Sequence, residues 1–125
     1  MLMKLMYKIA SLLLILSGLL QIAFTPLFFS HFGLDVLWFA GSGLGFVFLG
    51  NLNLIVMLSQ KLNYYTMILS SNVLGLMFTI IVLTVLNSIQ AYIALLIMLL
   101  VVIGSIYQYF RLVRKTVYQN FTVRY

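Results

Sequence analysis

The sequence predicts an all-α bundle of four antiparallel transmembrane helices. Three observations predict it. The first is composition: of 125 residues, 65% are hydrophobic and only 6% charged, with seven Lys or Arg and one acid. Soluble domains are roughly a quarter charged, so this chain cannot cover a globule with polar surface. The mean hydropathy of +1.21 also excludes the low hydrophobicity that marks disorder. The second is segregation: four apolar runs, 9–29, 36–58, 65–86 and 91–110, contain no Asp, Glu, Lys, Arg or His. The third is length, because each run has the roughly 20 residues that cross a ~30 Å hydrocarbon core as a helix.

The first run is flanked by Lys4 and Lys8 and carries Thr25-Pro26 near its far end, where the helix is expected to bend or stop. Its length favours a retained span over a cleaved signal peptide. The second run holds Gly41, Gly43, Gly45 and Gly50, and the third and fourth are apolar on every side over long stretches. A membrane β-strand would alternate polar and apolar residues over about ten positions, which these runs do not. The connections 30–35, 59–64 and 87–90 carry turn-prone residues, among them Ser30, Gly33, Asn63 and Asn87. Links this short make successive helices antiparallel neighbours. The chain reads as a single domain with a basic tail, 111–125, in which Arg111, Arg114 and Lys115 share one helical face.

Orientation follows from the basic residues. With the N-terminus cytoplasmic, Lys4, Lys8, Lys61, Arg111, Arg114, Lys115 and Arg124 all fall inside and none outside, as the positive-inside rule asks. The first six are read as membrane-surface anchors. Tyr7, Tyr64, Tyr65, Tyr107, Tyr109 and Tyr118 then lie near the inner boundary, and Trp38, Phe39 and Tyr92 near the outer one. The expected location is a bacterial inner membrane, with both termini cytoplasmic. The expected partners are the bilayer and a second copy or another membrane protein. The net charge of +6 is explained by the membrane ends rather than by nucleic acid.

Few residues carry chemistry. Gly41 and Gly45 form a small-xxx-small pair, with Trp38 and Ser42 within about 60° of that face. Such a face serves packing against span one or three, a homodimer seam, or a wall of a substrate cavity. Gln21 makes the outer half of span one polar, with Ser42 at comparable depth. Asn51, Asn53, Asn72, Ser105 and Gln108 lie at similar depth near the inner ends of spans two to four. They could form one polar layer, acting as helix-helix glue or as a pocket open to the cytoplasm. Asn51 points about 160° from Asn53, so at most one faces a given partner. A cavity lined by Gln21, Ser42, Asn53 and Asn72 would suit a transporter of small solutes or lipid.

His31 and Asp35 are the only histidine and the only acid. Four residues apart, they would meet on a helical turn as half of a general-base arrangement, or Asp35 would simply cap span two. No catalytic residue is assigned, and neither metal nor cofactor is expected. The absence of cysteine excludes thiolate chemistry. The absence of ionisable groups within the spans removes the usual equipment of proton-coupled exporters and voltage sensors. The expected role is non-enzymatic, through helix-helix contacts, with the transporter as the alternative and an enzyme using His31 and Asp35 third.

The segment from His31-Phe32-Gly33-Leu34-Asp35 through Gly41-Ser42-Gly43-Leu44-Gly45, followed by Gly50-Asn51-Leu52-Asn53, resembles small four-span membrane proteins of bacteria to which no activity is attached. In span count and size the chain is also similar to DoxX-like four-helix membrane proteins, without a shared motif. Neither resemblance implies functional residues.

Overall fold

The computed structural model describes residues 1–122, with side chains through Gln119. It contains four helices in chain order: α1 (Leu2–Phe28), α2 (Leu34–Ser59), α3 (Leu62–Val85) and α4 (Ile89–Thr122). All four are long and apolar enough to cross a membrane, and no strand occurs among the described residues. The chain is therefore an all-α, multi-pass membrane bundle. Arg124 and the end of the basic tail lie outside the described residues.

Each helix begins or ends beyond its apolar run, because helical hydrogen bonding continues past the hydrocarbon boundary where polar residues tolerate it. α1 starts at Leu2 rather than residue 9. α4, with 34 residues, carries Arg111, Arg114 and Lys115 on continuous helix. At a ~1.5 Å rise it is about 51 Å long, well over the membrane's thickness. Pro26 does not stop α1 at once: the helix closes with the Phe29 N–H donating to the Thr25 carbonyl at 3.2 Å. The Thr25 hydroxyl donates to the Gln21 carbonyl at 2.8 Å.

The turns are tighter than the sequence implies. Only Gln60 and Lys61 separate α2 from α3, and Gln60 takes the left-handed conformation, φ 50° and ψ 24°, that ends α2. Ser88 caps α4, its Oγ accepting from the Ala91 N–H at 3.3 Å. Gly33 stands at the N-cap of α2 without a side-chain cap, so the expectation that Asp35 caps span two is corrected. Asp35 sits inside the first turn, where its charge complements the helix dipole.

α1 packs most extensively against α2, α3 packs against α4, and α1 also contacts α4, whereas α2 and α3 touch least. The core is a slender column centred on Tyr7, Leu14, Met98 and Val101, all fully buried. Around it, large aliphatic and aromatic side chains such as Leu37, Phe48, Ile81 and Leu96 point outward. Ser11, Asn53, Asn72 and Ser105 point inward with no exposed surface. Polar inside and apolar outside is the arrangement hydrocarbon demands.

The α1–α2 seam is made by glycines. A Cβ on Gly43 would lie 2.9 Å from the Gly18 carbonyl oxygen, and one on Gly50 would lie 2.8 Å from the Ser11 carbonyl oxygen. Those contacts are backbone, so nothing can swing aside. Gly41 and Gly45 differ: a Cβ at either meets nothing within 4 Å. The expectation that they pack against span one or three is corrected, because α2 turns its Gly43 and Gly50 side to α1 instead.

Gly43→Ala and Gly50→Ala are expected to destabilise the bundle by about 1–3 kcal/mol through overpacking. Gly41→Ala and Gly45→Ala are expected to be neutral or stabilising by up to about 1 kcal/mol, from helix propensity alone. Reversible unfolding in mixed detergent, followed by circular dichroism, separates the two pairs. Equal losses at all four positions would contradict the packing described.

Candidate functional site

Three features beyond simple packing stand out. They are named relative to the basic end of the bundle, which carries Lys4, Lys61 and Arg111, and the opposite end, which carries residues 29–33.

The first is a buried amide pair toward the basic end. Asn53 on α2 and Asn72 on α3 exchange two hydrogen bonds, each Nδ2 donating to the other's Oδ1 at 2.9 Å. Asn53 Nδ2 also donates to the Leu49 carbonyl at 2.7 Å, and its Oδ1 accepts from the Tyr7 hydroxyl of α1. Three helices are thus tied at one level. This bond set joins α2 to α3 although their packing is otherwise sparse. The tyrosines here are not surface anchors: Tyr7 and Tyr65 are core residues.

Not all five polar residues grouped by depth join that layer. Asn51 is exposed and donates to the Val47 carbonyl of its own helix at 2.9 Å, so its place in a polar layer is corrected; with Asn53 facing in, helical geometry turns it out. Ser105 is buried but donates to the Val102 carbonyl, one turn back. Gln108 is buried on α4, and its Nε2 has no hydrogen-bond partner among the described residues. At the same end, the Lys61 ammonium lies 5.6 Å from the centre of the Tyr64 ring.

The second feature is a lateral groove of about 820 Å³ between α2 and α3. Trp38, Gly41, Ser42, Gly45 and Phe48 form its α2 wall, and Leu74, Gly75 and Phe78 its α3 wall. It exists because the two helices are held together at the Asn53–Asn72 level and have no bulk at Gly41 and Gly45 to fill the space beyond. Its lining is almost wholly apolar.

The third is a cavity of about 230 Å³ where α1, α2 and α4 meet toward the opposite end. Ser17, Gln21, Phe24, Phe39, Gln90 and Ile93 are among its walls. Gln21 Nε2 donates to the Phe39 carbonyl at 2.8 Å and to the Ser42 hydroxyl at 2.5 Å. The Ser42 hydroxyl in turn donates to the Phe39 carbonyl at 2.8 Å.

A single cavity lined by Gln21, Ser42, Asn53 and Asn72 is not what forms. Ser42 and Asn53 are about 16 Å apart along α2 by helical rise. The two amide clusters therefore occupy different levels, and the Asn53–Asn72 pair leaves no open pocket between its members. The His31–Asp35 pair is also corrected. His31 precedes the helix, with Nδ1 2.8 Å from Ser30 Oγ, and no hydrogen bond or ion pair joins it to Asp35 among the described residues. Among those residues no three His, Cys, Asp or Glu gather as a metal site would require. The glycines of the α1–α2 seam and the place of Gln90 in the cavity wall are not singled out by sequence; spacing alone does not say which side of an all-apolar helix faces in.

Compared with known protein families, with curated proteins and with solved structures, the chain finds no match.

Asn72→Leu strands the Asn53 amide and the bonds it shares with Tyr7 in a dry interior. The expected loss is about 1–2 kcal/mol, at the upper end for interhelical bonds in membranes. In a double-mutant cycle with Asn53→Leu, the combined variant is expected to recover part of that loss, since the unpaired amide is gone. Strict additivity would show that the two amides do not act as a pair.

Proposed function

We propose that this chain acts without catalysis, by docking transmembrane helices, and that the α2 face formed by Trp38, Gly41, Ser42 and Gly45 receives the same face of a second copy. The observation that carries this reading is the open space at Gly41 and Gly45. Gly18, Gly43 and Gly50 are filled by the chain's own backbone, while this pair, four residues apart on the same helix, faces an unfilled groove. Hydrocarbon supplies no hydrophobic drive between helices, so association depends on close van der Waals approach, which small residues permit. A two-fold arrangement sets the same patch against itself and closes as a dimer. The apolar flanks, Trp38 and Phe48 with Leu74, supply the remaining contact.

We further place the chain in a bacterial inner membrane with both termini in the cytoplasm. Lys4, Lys8, Lys61, Arg111, Arg114 and Lys115 all occupy the end of the bundle where the termini and the 60–61 turn lie, which supports that orientation. The closed Asn53–Asn72 pair and the separation of His31 from Asp35 weigh against the solute-transporter and enzyme readings.

The native chain has no cysteine, so Gly41→Cys and Gly45→Cys are clean single-cysteine reporters. Mild oxidation in membranes is expected to give a disulfide-linked dimer for at least one of them. The Gly41→Ile, Gly45→Ile double variant, at two positions where an added Cβ meets nothing within 4 Å in the monomer, is expected to weaken association about tenfold or more. A chain that stays monomeric at every lipid ratio, with a lipid acyl chain retained in the groove, would overturn the dimer reading. For orientation, compartment-specific reporters fused to each end are expected to read cytoplasmic at both. A split reading would overturn the placement.

A further inference from the structure

The cavity between α1, α2 and α4 has a chemistry of its own, and it meets the groove of the proposed dimer face only at Phe46 and through the Gln21–Ser42 hydrogen bond. Its volume of about 230 Å³ is smaller than the pockets that hold drug-sized ligands, which start at roughly 300 Å³. It suits one substituted ring and is too small for a long chain. Phe24, Phe28 and Phe39 supply aromatic surface: the Phe24 and Phe28 rings meet edge to face with centres 6.4 Å apart, and Phe28 and Phe39 do so at 6.2 Å. Such edge-to-face sets accept a further ring at the same geometry. No charged side chain lines the space, so an ion entering it would lose its hydration uncompensated.

The polar groups of the wall narrow the choice. Ser17 spends its hydrogen on the Leu14 carbonyl at 2.9 Å and retains only acceptor capacity. Gln21 spends its Nε2 on Phe39 and Ser42, and its Oε1 has no partner among the described residues. Gln90, in the first turn of α4, has neither end of its amide engaged among those residues. The cavity therefore offers more acceptors than donors, with one free amide donor. An occupant that satisfies it must bring a hydrogen of its own.

We propose that this cavity binds a neutral lipophilic molecule bearing a hydroxyl on an aromatic ring, a phenol in chemical class. The ring lies against Phe24, Phe28 and Phe39. Its hydroxyl donates to Gln21 Oε1 and accepts from Gln90 Nε2. Entry is lateral from the bilayer, past Ile93 and Phe24, both of which present exposed surface.

The test uses the full chain in lipid nanodiscs and a para-alkylphenol with a diazirine in its alkyl tail, compared with the methyl ether of the same compound. The ether keeps the ring, the alkyl tail and the acceptor oxygen, adds one methyl group, and has no hydrogen to donate. Photolabelling mapped by mass spectrometry is expected to concentrate on Phe24, Phe28 and Ile93 for the phenol. The ether is expected to label there about tenfold less, the loss of one hydrogen bond. Ala94→Phe, which adds a ring to the cavity from α4 and leaves both glutamines in the sequence, is expected to abolish the focused label while helicity is retained. Should that variant fail to fold, Gln90→Leu, at an exposed position, is expected to lower the phenol's labelling severalfold. Equal labelling by phenol and ether, or label spread evenly over the lipid-facing helices, would overturn the proposal. So would focused labelling that survives both variants.

Discussion

In hydrocarbon an unpaired amide or hydroxyl has no water to turn to, and the position of nearly every polar side chain in this bundle follows from that. Twelve short hydroxyl side chains within the helices bend back to carbonyls of their own helix, three or four residues earlier, as Ser11 does to Tyr7 and Thr79 to Gly75. The buried amides have groups to spare beyond such bonds, as Asn53 has beyond its bond to the Leu49 carbonyl, and these reach across to other helices. Asn53, Asn72 and Tyr7 find one another at one level, and Gln21 finds Ser42 and Phe39 at another. The two interhelical bonding sites are thus the two places where the helices are fixed in register, since apolar contacts between helices slide easily.

The fixed points also shape the surface. α1 and α2 lie close because Gly18, Gly43 and Gly50 leave room for the facing backbone and for Ile15, Ile22 and Val47 to pack into their seam. α2 and α3 have no such seam. They are linked by the asparagine pair and by a two-residue turn, and diverge beyond it. The groove is the direct result of tying two helices at one level and leaving the facing residues small. Its walls are ordinary for a lipid-facing helix. Its concavity is not, and concavity is what a partner helix can use.

The sequence states the membrane character without ambiguity, because charge excluded from four long runs has no other physical explanation. It also states the helix count and their alternating direction. Which face of each helix turns inward is another matter. α2 is apolar around most of its circumference, so no periodic stripe separates core from lipid, and four glycines on one helix offer two different faces to a neighbour. Spacing groups Gly41 with Gly45, whereas the intramolecular seam uses Gly43 and Gly50. The tyrosines mislead in the same way: Tyr7 and Tyr65 sit in sequence where interface residues are expected, yet both are buried, and the Tyr7 hydroxyl donates to Asn53. Asn51 and Asn53 were separable, since a two-residue step on a helix sends them to nearly opposite sides, but only the structure says which of them is buried.

The groove and the cavity share a wall. Ser42 faces the groove and accepts a hydrogen bond from Gln21, which faces the cavity, and Phe46 lines both spaces. Substitutions at these three positions therefore disturb both surfaces and cannot assign a role to either. Gly41 and Gly45 touch only the groove, while Gln90, Ile93 and Ala94 touch only the cavity. An effect of Gly41 or Gly45 on association, with the cavity's ligand selectivity intact, isolates the helix-docking role. A change in ligand selectivity from Gln90 or Ala94, with association intact, isolates the binding role. The separation rests on geometry: the two spaces meet at Phe46 and through the hydrogen bonds that join Ser42 to Gln21 and to the Phe39 carbonyl, and the other residues named here line one space only.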